Sequence, residues 1–332
     1  MTESMADHSN ADSGITRQPE STTAVVFEEP GRLALRSLPL SPAGDVDVVV
    51  DVDWSGISTG TERLLWTGRM PEFPGLGYPL VPGYESAGRV VRAGSRSGRR
   101  EGDYVFVPGA SCFGEVRGLF GGAAARLVVP GSRVVAIDEA LGERAVLLAL
   151  AATAHHALAA GDAKRPDLIV GHGVLGRLLA RLAMLEGGEA PLVWETNPGR
   201  RAGATGYRVV DPSEDPRHDH ASIYDVSGDA SLLDTLVSRL APRGEIVLAG
   251  FYCEPLSFHF PPAFLREARL RVAAEWQPPD LLAVKRSLES GLLDLDGLIT
   301  HRLSSTDAAS AYETAFDDPA CLKMVLDWRS SR

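Results

Sequence analysis

A glycine-rich segment in the middle of the chain limits the fold more than any other feature of the sequence. It follows a short apolar run, precedes a stretch of helical periodicity and has the sequence Gly171-His172-Gly173-Val174-Leu175-Gly176. In this GxGxxG pattern Gly171 permits a tight turn, Gly173 lets the backbone approach a pyrophosphate, and Gly176 lets helix and strand pack closely. The helix N-terminus adds free N–H donors. The pattern predicts that these six residues bind a dinucleotide, and glycines that only form a tight turn are the alternative.

Charged side chains near this segment indicate which dinucleotide binds. Glu195 ends the next apolar run, 19 residues beyond Gly176, where a carboxylate accepts hydrogen bonds from the adenosine ribose and repels a 2′-phosphate. Arg200 and Arg201 follow, and a guanidinium can accept a 2′-phosphate or stack on adenine. We expect NAD as the cofactor, bound with the help of Glu195 and Arg200. The His172 side chain could reach a phosphate or stay solvated.

The chain beyond about residue 140 alternates between strand-like and helix-like segments. Apolar runs typical of strands lie at residues 168–170, 192–194, 223–226 and 245–249. Helical periodicity covers residues 144–160, 175–186 and 231–240. This alternation predicts an α/β fold with a Rossmann-like, doubly wound parallel sheet. We assign residues 146–294 to this NAD-binding domain.

The N-terminal part has the pattern of a β domain. Strand-like runs separated by Pro- and Gly-rich loops lie at residues 24–27, 45–53, 88–93 and 104–108. Short strands joined by tight loops predict a partly open β-barrel. We expect the last stretch, with an amphipathic helix at residues 308–316, to rejoin this domain, which then spans residues 24–145 and 295–332. Residues 1–23, rich in Ser, Thr, Asp and Glu, are predicted to be a disordered tail.

Composition excludes several classes of partner. The formal net charge of -11 opposes binding to nucleic acid, because a phosphate backbone is met by clusters of Lys and Arg. No apolar run approaches the roughly 20 residues of a membrane-spanning helix, so we expect no integral membrane segment. The three cysteines lie far apart, at Cys112, Cys253 and Cys321. This favours a reducing, cytoplasmic location.

Two further motifs resemble those of the medium-chain dehydrogenase/reductase family, and the resemblance covers nearly everything after residue 23. In that family the catalytic zinc ligands lie in segments similar to G-I-C-x-T-D and G-H-E. Here the corresponding stretches are G-I-S-T-G-T-E at residues 56–62 and G-Y-E at residues 83–85. Ser58 or Thr59 replaces the Cys and Tyr84 replaces the His, whereas zinc needs thiolate, imidazole or carboxylate ligands. We predict an alcohol dehydrogenase with a GroES-like catalytic domain and no metal.

Longer segments resemble one subfamily, which oxidises the 3-(1-hydroxyethyl) group of a bacteriochlorophyllide to 3-acetyl during bacteriochlorophyll synthesis. They are S-G-I-S-T-G-T-E-R at residues 55–63, P-G-Y-E-S at 82–86, R-G-L-F-G-G-A-A at 117–124 and A-T-A-H-H-A-L at 152–158. The resemblance implies a tetrapyrrole substrate and NAD-dependent oxidation of its alcohol. The protein would then be cytoplasmic, either free or peripheral to the photosynthetic membrane.

Without zinc, another group must handle the proton of the substrate hydroxyl. The resemblance places Thr61, Tyr84 and Glu85 beside the reacting alcohol. It places His155 and His156 near the third zinc ligand of relatives, and neutral imidazole is suited to proton transfer near pH 7. We predict that one histidine is the general base and that the other is a core or surface residue, since adjacent helical residues point about 100° apart. Each of the five could instead be a packed structural residue.

Two other functions remain open at this stage. A zinc-free quinone or enone reductase of the same family would prefer NADPH and leave an alcohol untouched. A catalytically silent pigment-binding protein would keep the fold without the reaction. Homo-oligomers are common among related enzymes, so we also expect a homo-oligomer by analogy.

Overall fold

The computed structural model describes residues 20–331 except residues 73, 162, 186 and 188. Its strands are β1 (Ser21–Glu29), β2 (Arg32–Pro39), β3 (Asp47–Ile57), β4 (Leu80–Val81), β5 (Ser86–Ala93), β6 (Tyr104–Val107), β7 (Arg117–Gly118), β8 (Arg126–Pro130), β9 (Val135–Ala136), β10 (Leu168–Val170), β11 (Leu192–Trp194), β12 (Arg208–Val210), β13 (His220–Asp225), β14 (Leu240–Leu248), β15 (Arg269–Val272), β16 (His301–Ser304) and β17 (Met324–Asp327). Its α-helices are α1 (Thr61–Trp66), α2 (Leu148–Leu158), α3 (Val174–Leu185), α4 (Leu233–Arg239), α5 (Phe260–Leu265), α6 (Pro278–Glu289) and α7 (Ala308–Asp317). Short 3₁₀ segments cover Glu139–Leu147, Pro198–Arg200, Pro212–Glu214, Ala230–Leu232 and Ser305–Asp307.

The predicted parallel sheet is confirmed. Its six strands have the order β12-β11-β10-β13-β14-β15, and every pairing between them is parallel. The central strand β10 is buried along its whole length, as the continuous apolar run Leu168 to Val170 indicates for a sheet covered on both faces. Because β10 lies between β11 and β13, the strand order reverses beside it. In open sheets of this kind, ligands bind at that point, outside the carboxyl ends of the strands.

The remaining strands form two sheets that precede and follow the parallel one in sequence. One has the order β2-β1-β4-β7, and the other has the order β16-β17-β3-β5-β6-β9, with β8 paired to β3. Strand β3 is the hub of the second sheet because it pairs with β5, β8 and β17. The C-terminal strand β17 thus lies directly beside the N-terminal strand β3. These sheets agree with the predicted partly open β domain.

The observed boundaries differ from the predicted ones in two places. Strand β1 begins at Ser21, so the prediction that the fold starts at Ala24 is wrong by three residues. Thr22 is buried and its Oγ1 accepts the Arg126 N–H at 2.8 Å, and β-branched threonines suit a pleated strand although they are polar. Residues 1–19 of the predicted tail lie outside the described residues. The helix predicted at residues 144–160 begins at Leu148, after a 3₁₀ segment.

One apolar core extends from the second sheet into the parallel-sheet domain. It joins Ala87 and Phe106 of that sheet to α2, α3 and the strands β10, β11, β13 and β14. A second core fills the space between the two N-terminal sheets and includes Phe27 and Tyr312. Among the described residues, no helix combines the length and apolarity that crossing a bilayer requires.

Candidate active site

The glycine-rich loop lies between β10 and α3, at the strand-order reversal. Gly171 adopts a φ of 104°, a left-handed conformation that favours glycine. A Cβ built on Gly176 would stand 2.0 Å from the Gly171 carbonyl oxygen, so only glycine lets α3 pack this closely on the turn. A Cβ on Gly173 would meet nothing within 4 Å. The loop therefore keeps the backbone of Gly173 open on the side where a pyrophosphate would approach, and its geometry fits a dinucleotide.

Glu195 follows β11 directly and its carboxylate lies against this loop. Its Oε2 accepts the His172 N–H at 3.1 Å and its Oε1 accepts the Asn197 N–H at 2.8 Å. Both donors are backbone amides, which hold the carboxylate at the carboxyl end of the strand. This is the position from which a carboxylate can bind ribose hydroxyls.

The His172 side chain faces the protein interior, which argues against the predicted contact with a phosphate. It is fully buried, with Nδ1 2.6 Å from the Arg200 carbonyl oxygen and Nε2 2.8 Å from the Tyr207 hydroxyl. Desolvation lowers the pKa of His172 to about 4, so the ring is neutral at pH 7. The Nδ1 nitrogen therefore donates and the Nε2 nitrogen accepts. The ring therefore stabilises the loop from the interior, and His172 contacts Glu195 only through its backbone N–H.

The two arginines after β11 are both engaged by the protein itself. Arg200 Nε donates to the Pro319 carbonyl oxygen at 3.0 Å. Arg201 Nε donates to the Glu195 carbonyl oxygen at 2.8 Å, and its Nη2 pairs with Asp211. Arg200 thus ties the nucleotide-binding loop region to the segment before β17 instead of projecting alone toward a phosphate.

A cluster of three hydroxyl groups lies where the family resemblance places the reacting alcohol. Ser58 Oγ and Tyr84 Oη are 2.6 Å apart, and Thr61 Oγ1 lies 3.5 Å from Tyr84 Oη. Tyr84 and Thr61 are partly exposed, whereas Ser58 is buried behind them. Burial and the negative charge of Glu85 raise the pKa of Tyr84, so the phenol keeps its proton. We call Ser58, Thr61 and Tyr84 the hydroxyl cluster.

Glu62 is the next residue after Thr61, and its carboxyl group is completely buried. Oε1 accepts the Ser58 N–H at 2.8 Å, and Oε2 accepts the Tyr312 hydroxyl at 2.6 Å. Desolvation raises the pKa of Glu62 to about 7, against the opposing effect of these two hydrogen bonds. The first turn of α1 thus places an ionisable carboxyl group directly behind the hydroxyl cluster.

The Glu85 carboxylate is not a free proton acceptor. Its Oε2 forms a fully buried salt bridge with Lys323 Nζ, in a space that exists because residue 56 is glycine. Burial raises the pKa of Glu85, and the charge of Lys323 opposes this effect. The predicted role of Glu85 beside the substrate alcohol is therefore replaced by a pairing with a C-terminal lysine.

The two candidate histidines share one carboxylate. His155 Nδ1 lies 2.8 Å from Asp280 Oδ1, and His156 Nδ1 lies 2.8 Å from Asp280 Oδ2. Asp280 also accepts the Gln277 N–H at the start of α6. Burial alone would raise the pKa of Asp280, but these hydrogen bonds lower it. A single buried side chain of α6 therefore binds both imidazoles, and the role of one of them as the general base stays a prediction.

The donor set of this region does not fit a catalytic zinc ion. Ser58 and Tyr84 offer hydroxyl groups that bond to each other, and Glu85 is held by an ammonium group. Zinc sites use thiolate, imidazole and carboxylate ligands that converge on one point. Across the part of the chain that the structure describes, no three His, Cys, Asp or Glu side chains are grouped in this way.

The hydroxyl cluster and the dinucleotide loop border the same apolar core. Tyr84 packs against the core cluster that contains Val174, the first residue of α3. On the outer side, Arg69 follows α1 and pairs with Glu254, which follows β14, at 3.0 Å. These contacts join the segment that carries Thr61 to the carboxyl end of the parallel sheet.

Several residues of this site escaped the sequence reasoning. Glu62 stands at the Asp position of the zinc-family motif quoted above, and that alignment was the signal that could have identified it. The others, Lys323, Tyr312 and Asp280, lie far along the chain from the side chains that they contact. No local pattern marks them.

Comparisons with known proteins agree with this architecture. Residues 44–139 match the family described as "Alcohol dehydrogenase GroES-like domain". The chain is 59% identical to a "2-desacetyl-2-hydroxyethyl bacteriochlorophyllide A dehydrogenase" of Rhodobacter capsulatus, covering 94% of this chain and 99% of the relative. A protein of the same name from Cereibacter sphaeroides is also 59% identical and covers 93% and 99%. The crystal structure of 2R,3R-butanediol dehydrogenase from Bacillus subtilis superposes with a TM-score of 0.79 at 18% identity, covering 92% and 99%, which shows the fold alone.

Proposed function

Because the chain belongs to the medium-chain dehydrogenase/reductase family, we propose that it is an NAD-dependent dehydrogenase that oxidises the 3-(1-hydroxyethyl) group of a bacteriochlorophyllide to 3-acetyl. The observation that carries this proposal is the 59% identity to two bacteriochlorophyllide dehydrogenases over nearly their whole length. The reaction belongs to bacteriochlorophyll synthesis, and its substrate is a small tetrapyrrole. No Lys- or Arg-rich footprint for nucleic acid accompanies it in the sequence.

The residues around the glycine-rich loop would hold the dinucleotide. Gly171, Gly173 and the backbone amides at the start of α3 would hold the pyrophosphate, and Glu195 would bind the adenosine ribose. When bound, the nicotinamide ring supplies the acceptor for the hydride that leaves the carbinol carbon. Val174 and Leu175 contribute backbone donors in the first turn of α3 and pack their side chains on the core.

The hydroxyl cluster would bind the substrate alcohol. Tyr84 and Thr61 are its partly exposed members, so they are the groups that can hydrogen-bond to the carbinol oxygen. The raised pKa of Tyr84 keeps the phenol protonated, which suits a donor that orients this oxygen and passes protons on, and does not suit a free phenolate base. The macrocycle next to the carbinol carbon stabilises the charge that develops there. This reduces the need for a metal to acidify the hydroxyl.

We infer NAD in preference to NADP from the charges near Glu195. The carboxylate is held at the strand end, where it would repel a 2′-phosphate. Arg201 is paired with Asp211, and Arg200 donates to a backbone carbonyl. Neither arginine is therefore held for a 2′-phosphate alone.

The test incubates the purified full-length protein with 3-(1-hydroxyethyl) bacteriochlorophyllide a and either NAD or NADP. The expected result is the red shift of the pigment spectrum that accompanies conjugation of an acetyl group with the ring, matched by NADH formation. Selectivity for NADPH, with reduction of an added quinone or enone and no oxidation of the alcohol, would identify a quinone or enone reductase instead. Pigment binding with no spectral change in the presence of either cofactor would identify a silent binding protein.

We also propose that the protein forms a homo-oligomer through the edge of its parallel sheet. β15 is the last strand of that sheet, and Val272 on it is 76% exposed. Beside it on α5, Phe260, Phe264 and Leu265 are 65 to 78% exposed. Within the described part of the chain no strand pairs with the outer side of β15, and a second copy of the same edge would cover it together with these apolar side chains. Light scattering of the wild type should give a multiple of the 35.4 kDa chain mass, and Leu265→Glu should give the mass of a single chain. A Leu265→Glu variant with the same mass as the wild type would contradict this interface.

Location follows from the substrate in this proposal. A cytoplasmic enzyme, free or peripheral to the photosynthetic membrane, would meet a hydrophobic pigment precursor there. Co-sedimentation with vesicles of anionic lipid, with and without the pigment, separates the two arrangements.

A further inference from the structure

Glu62 is a buried carboxyl group that packing alone does not explain. It is 0% exposed, and its two oxygens accept only a backbone N–H and a phenol hydroxyl. Among the described residues, no Lys, Arg or His forms a salt bridge with it. Transferring an ionised carboxylate into such surroundings is unfavourable unless a charge or several donors compensate. A group of this kind, one residue from Thr61 and held by the backbone N–H of Ser58, indicates a role in the chemistry of the site.

The groups that face Glu62 come from three separate parts of the chain. They are Glu85 and Tyr84 before β5, Tyr312 on α7 and Lys323 before β17. Lys323 is already paired with Glu85. The three charged groups therefore sum to about one negative charge when Glu62 is ionised and to none when it is neutral. Its ionisation state decides whether the hydroxyl cluster has a negative charge behind it.

We propose that Glu62 is a positioning residue for alcohol oxidation: its carboxylate, held by the Ser58 backbone N–H directly behind the hydroxyl cluster, makes that cluster a better acceptor for the substrate proton through its negative charge. This rests on the proposed function. The carbinol C–H pair leaves as hydride to the bound dinucleotide, the O–H pair becomes the second bond of the carbonyl, and the proton passes to the cluster and on to solvent. A fixed negative charge stabilises the positive charge that this carbon and proton share in the transition state.

The expected consequence is a pH dependence with a known sign. Because desolvation raises the pKa of Glu62 to about 7, its carboxylate is lost as the pH falls below 7. Oxidation should therefore slow below pH 7 and level off above it. The Tyr312 hydroxyl lowers the pKa of Glu62 by donating to the carboxylate, so Tyr312→Phe should move this limb to higher pH.

The experiment measures kcat and KM from pH 5.5 to 9 for the full-length wild type, Glu62→Gln, Glu62→Asp and Tyr312→Phe. In Glu62→Gln the limb near pH 7 should disappear and kcat at pH 8 should fall about 10-fold or more, with KM changed less than about 3-fold. Glu62→Asp should restore part of kcat and a limb. The matched control is Glu313→Gln, an exposed carboxyl group beside Tyr312 on the same helix, which should leave the profile unchanged.

Infrared difference spectra between pH 6 and pH 8, taken without substrate, provide a readout that does not depend on activity. The wild type should show the band of a protonated buried carboxyl group at pH 6, and Glu62→Gln should lack it.

A wild type that shows this band but oxidises no hydroxyethyl pigment would overturn the proposed function and leave the charge assignment of Glu62 standing. An unaltered limb and kcat in Glu62→Gln would overturn the inference. If that variant fails to fold, a limb that stays in place in Tyr312→Phe overturns it equally.

Discussion

The dinucleotide loop and the hydroxyl cluster are built in opposite ways. The loop is made by six consecutive residues that would bind the cofactor through their backbone, and its closest packing is between Gly171 and Gly176. The hydroxyl cluster is made by side chains, and the groups around it lie at the ends of β3, β5 and β17 and on α1 and α7. The loop is a property of local sequence, whereas the surroundings of the cluster are complete only when the C-terminal strand and helix have returned to the N-terminal domain. The two regions should therefore respond to substitution in different ways.

The largest expected effect is on the hydroxyl cluster. Tyr84→Phe removes the partly exposed hydroxyl that bonds to Ser58. We expect kcat to fall by about 100-fold, which is the lower end of the range for loss of a proton-handling group. The dissociation constant of NAD should stay within about 2-fold, because the loop is untouched. Steady-state kinetics and fluorescence titration measure the two quantities. Tyr78→Phe is the control, since that hydroxyl donates to the Leu65 carbonyl oxygen outside the cluster. A Tyr84→Phe enzyme with normal kcat would remove the cluster from the reaction.

The contrast also explains what the sequence could and could not predict. The parallel sheet followed from apolar runs and helical periodicity, and the loop followed from three glycines in one motif, whereas the strand order and the edge strands β12 and β15 were not predicted. Tyr84 and Thr61 were identified by their motifs, and they do lie together. The charge environment of Tyr84 was not predictable, because Glu62 binds Tyr312, 250 residues away.

The contacts of His155 and His156 were equally beyond prediction from the sequence. Their helix was predicted, and imidazole chemistry made them candidates for the base, whereas their place in the last turn of α2 was not predicted. Asp280 lies 124 and 125 positions away in sequence and binds both Nδ1 atoms. Helical geometry alone placed them about 100° apart, whereas long side chains on the last turn of α2 can converge on one carboxylate.

A pair of glycine substitutions separates fold from binding within the loop. Gly176→Ala places a methyl group against the Gly171 carbonyl oxygen, so we expect a loss of about 1–3 kcal/mol in stability from overpacking, together with weaker NAD binding. Gly173→Ala meets no atom within 4 Å and should leave the melting temperature unchanged while it weakens NAD binding by about 10-fold, because the added Cβ stands where the pyrophosphate approaches. Calorimetry measures both quantities. Equal melting temperatures for the two variants would show that the loop is not as tightly packed as its geometry indicates.

A smaller effect is expected at Glu195, where the loop region discriminates between cofactors. Glu195→Gln removes the charge that repels a 2′-phosphate but keeps one side-chain oxygen, which can accept the N–H of His172 or of Asn197. The ratio of kcat/KM for NAD over NADP should fall by about 10-fold, equivalent to roughly 1.4 kcal/mol, with little change in kcat. Arg201→Gln, which breaks the pair with Asp211, is the matched control and should leave NADP binding no stronger. A wild type that already prefers NADP would contradict the assignment.

The smallest effect on catalysis is expected where the sequence suggested the general base. Asp280→Asn leaves His155 and His156 without their shared carboxylate and weakens the first turn of α6, which Asp280 caps by accepting the Gln277 N–H. We expect a loss of about 1–3 kcal/mol in stability, typical for disrupting a buried charged hydrogen bond, and a kcat within about 3-fold of the wild type. Thermal unfolding and kinetics at pH 8 test this together. A drop in kcat of more than about 10-fold with an unchanged melting temperature would return the histidines to the proton path. In that case the hydroxyl cluster would orient the substrate while a histidine of α2 supplied the base. The proton-handling groups would then come from both domains.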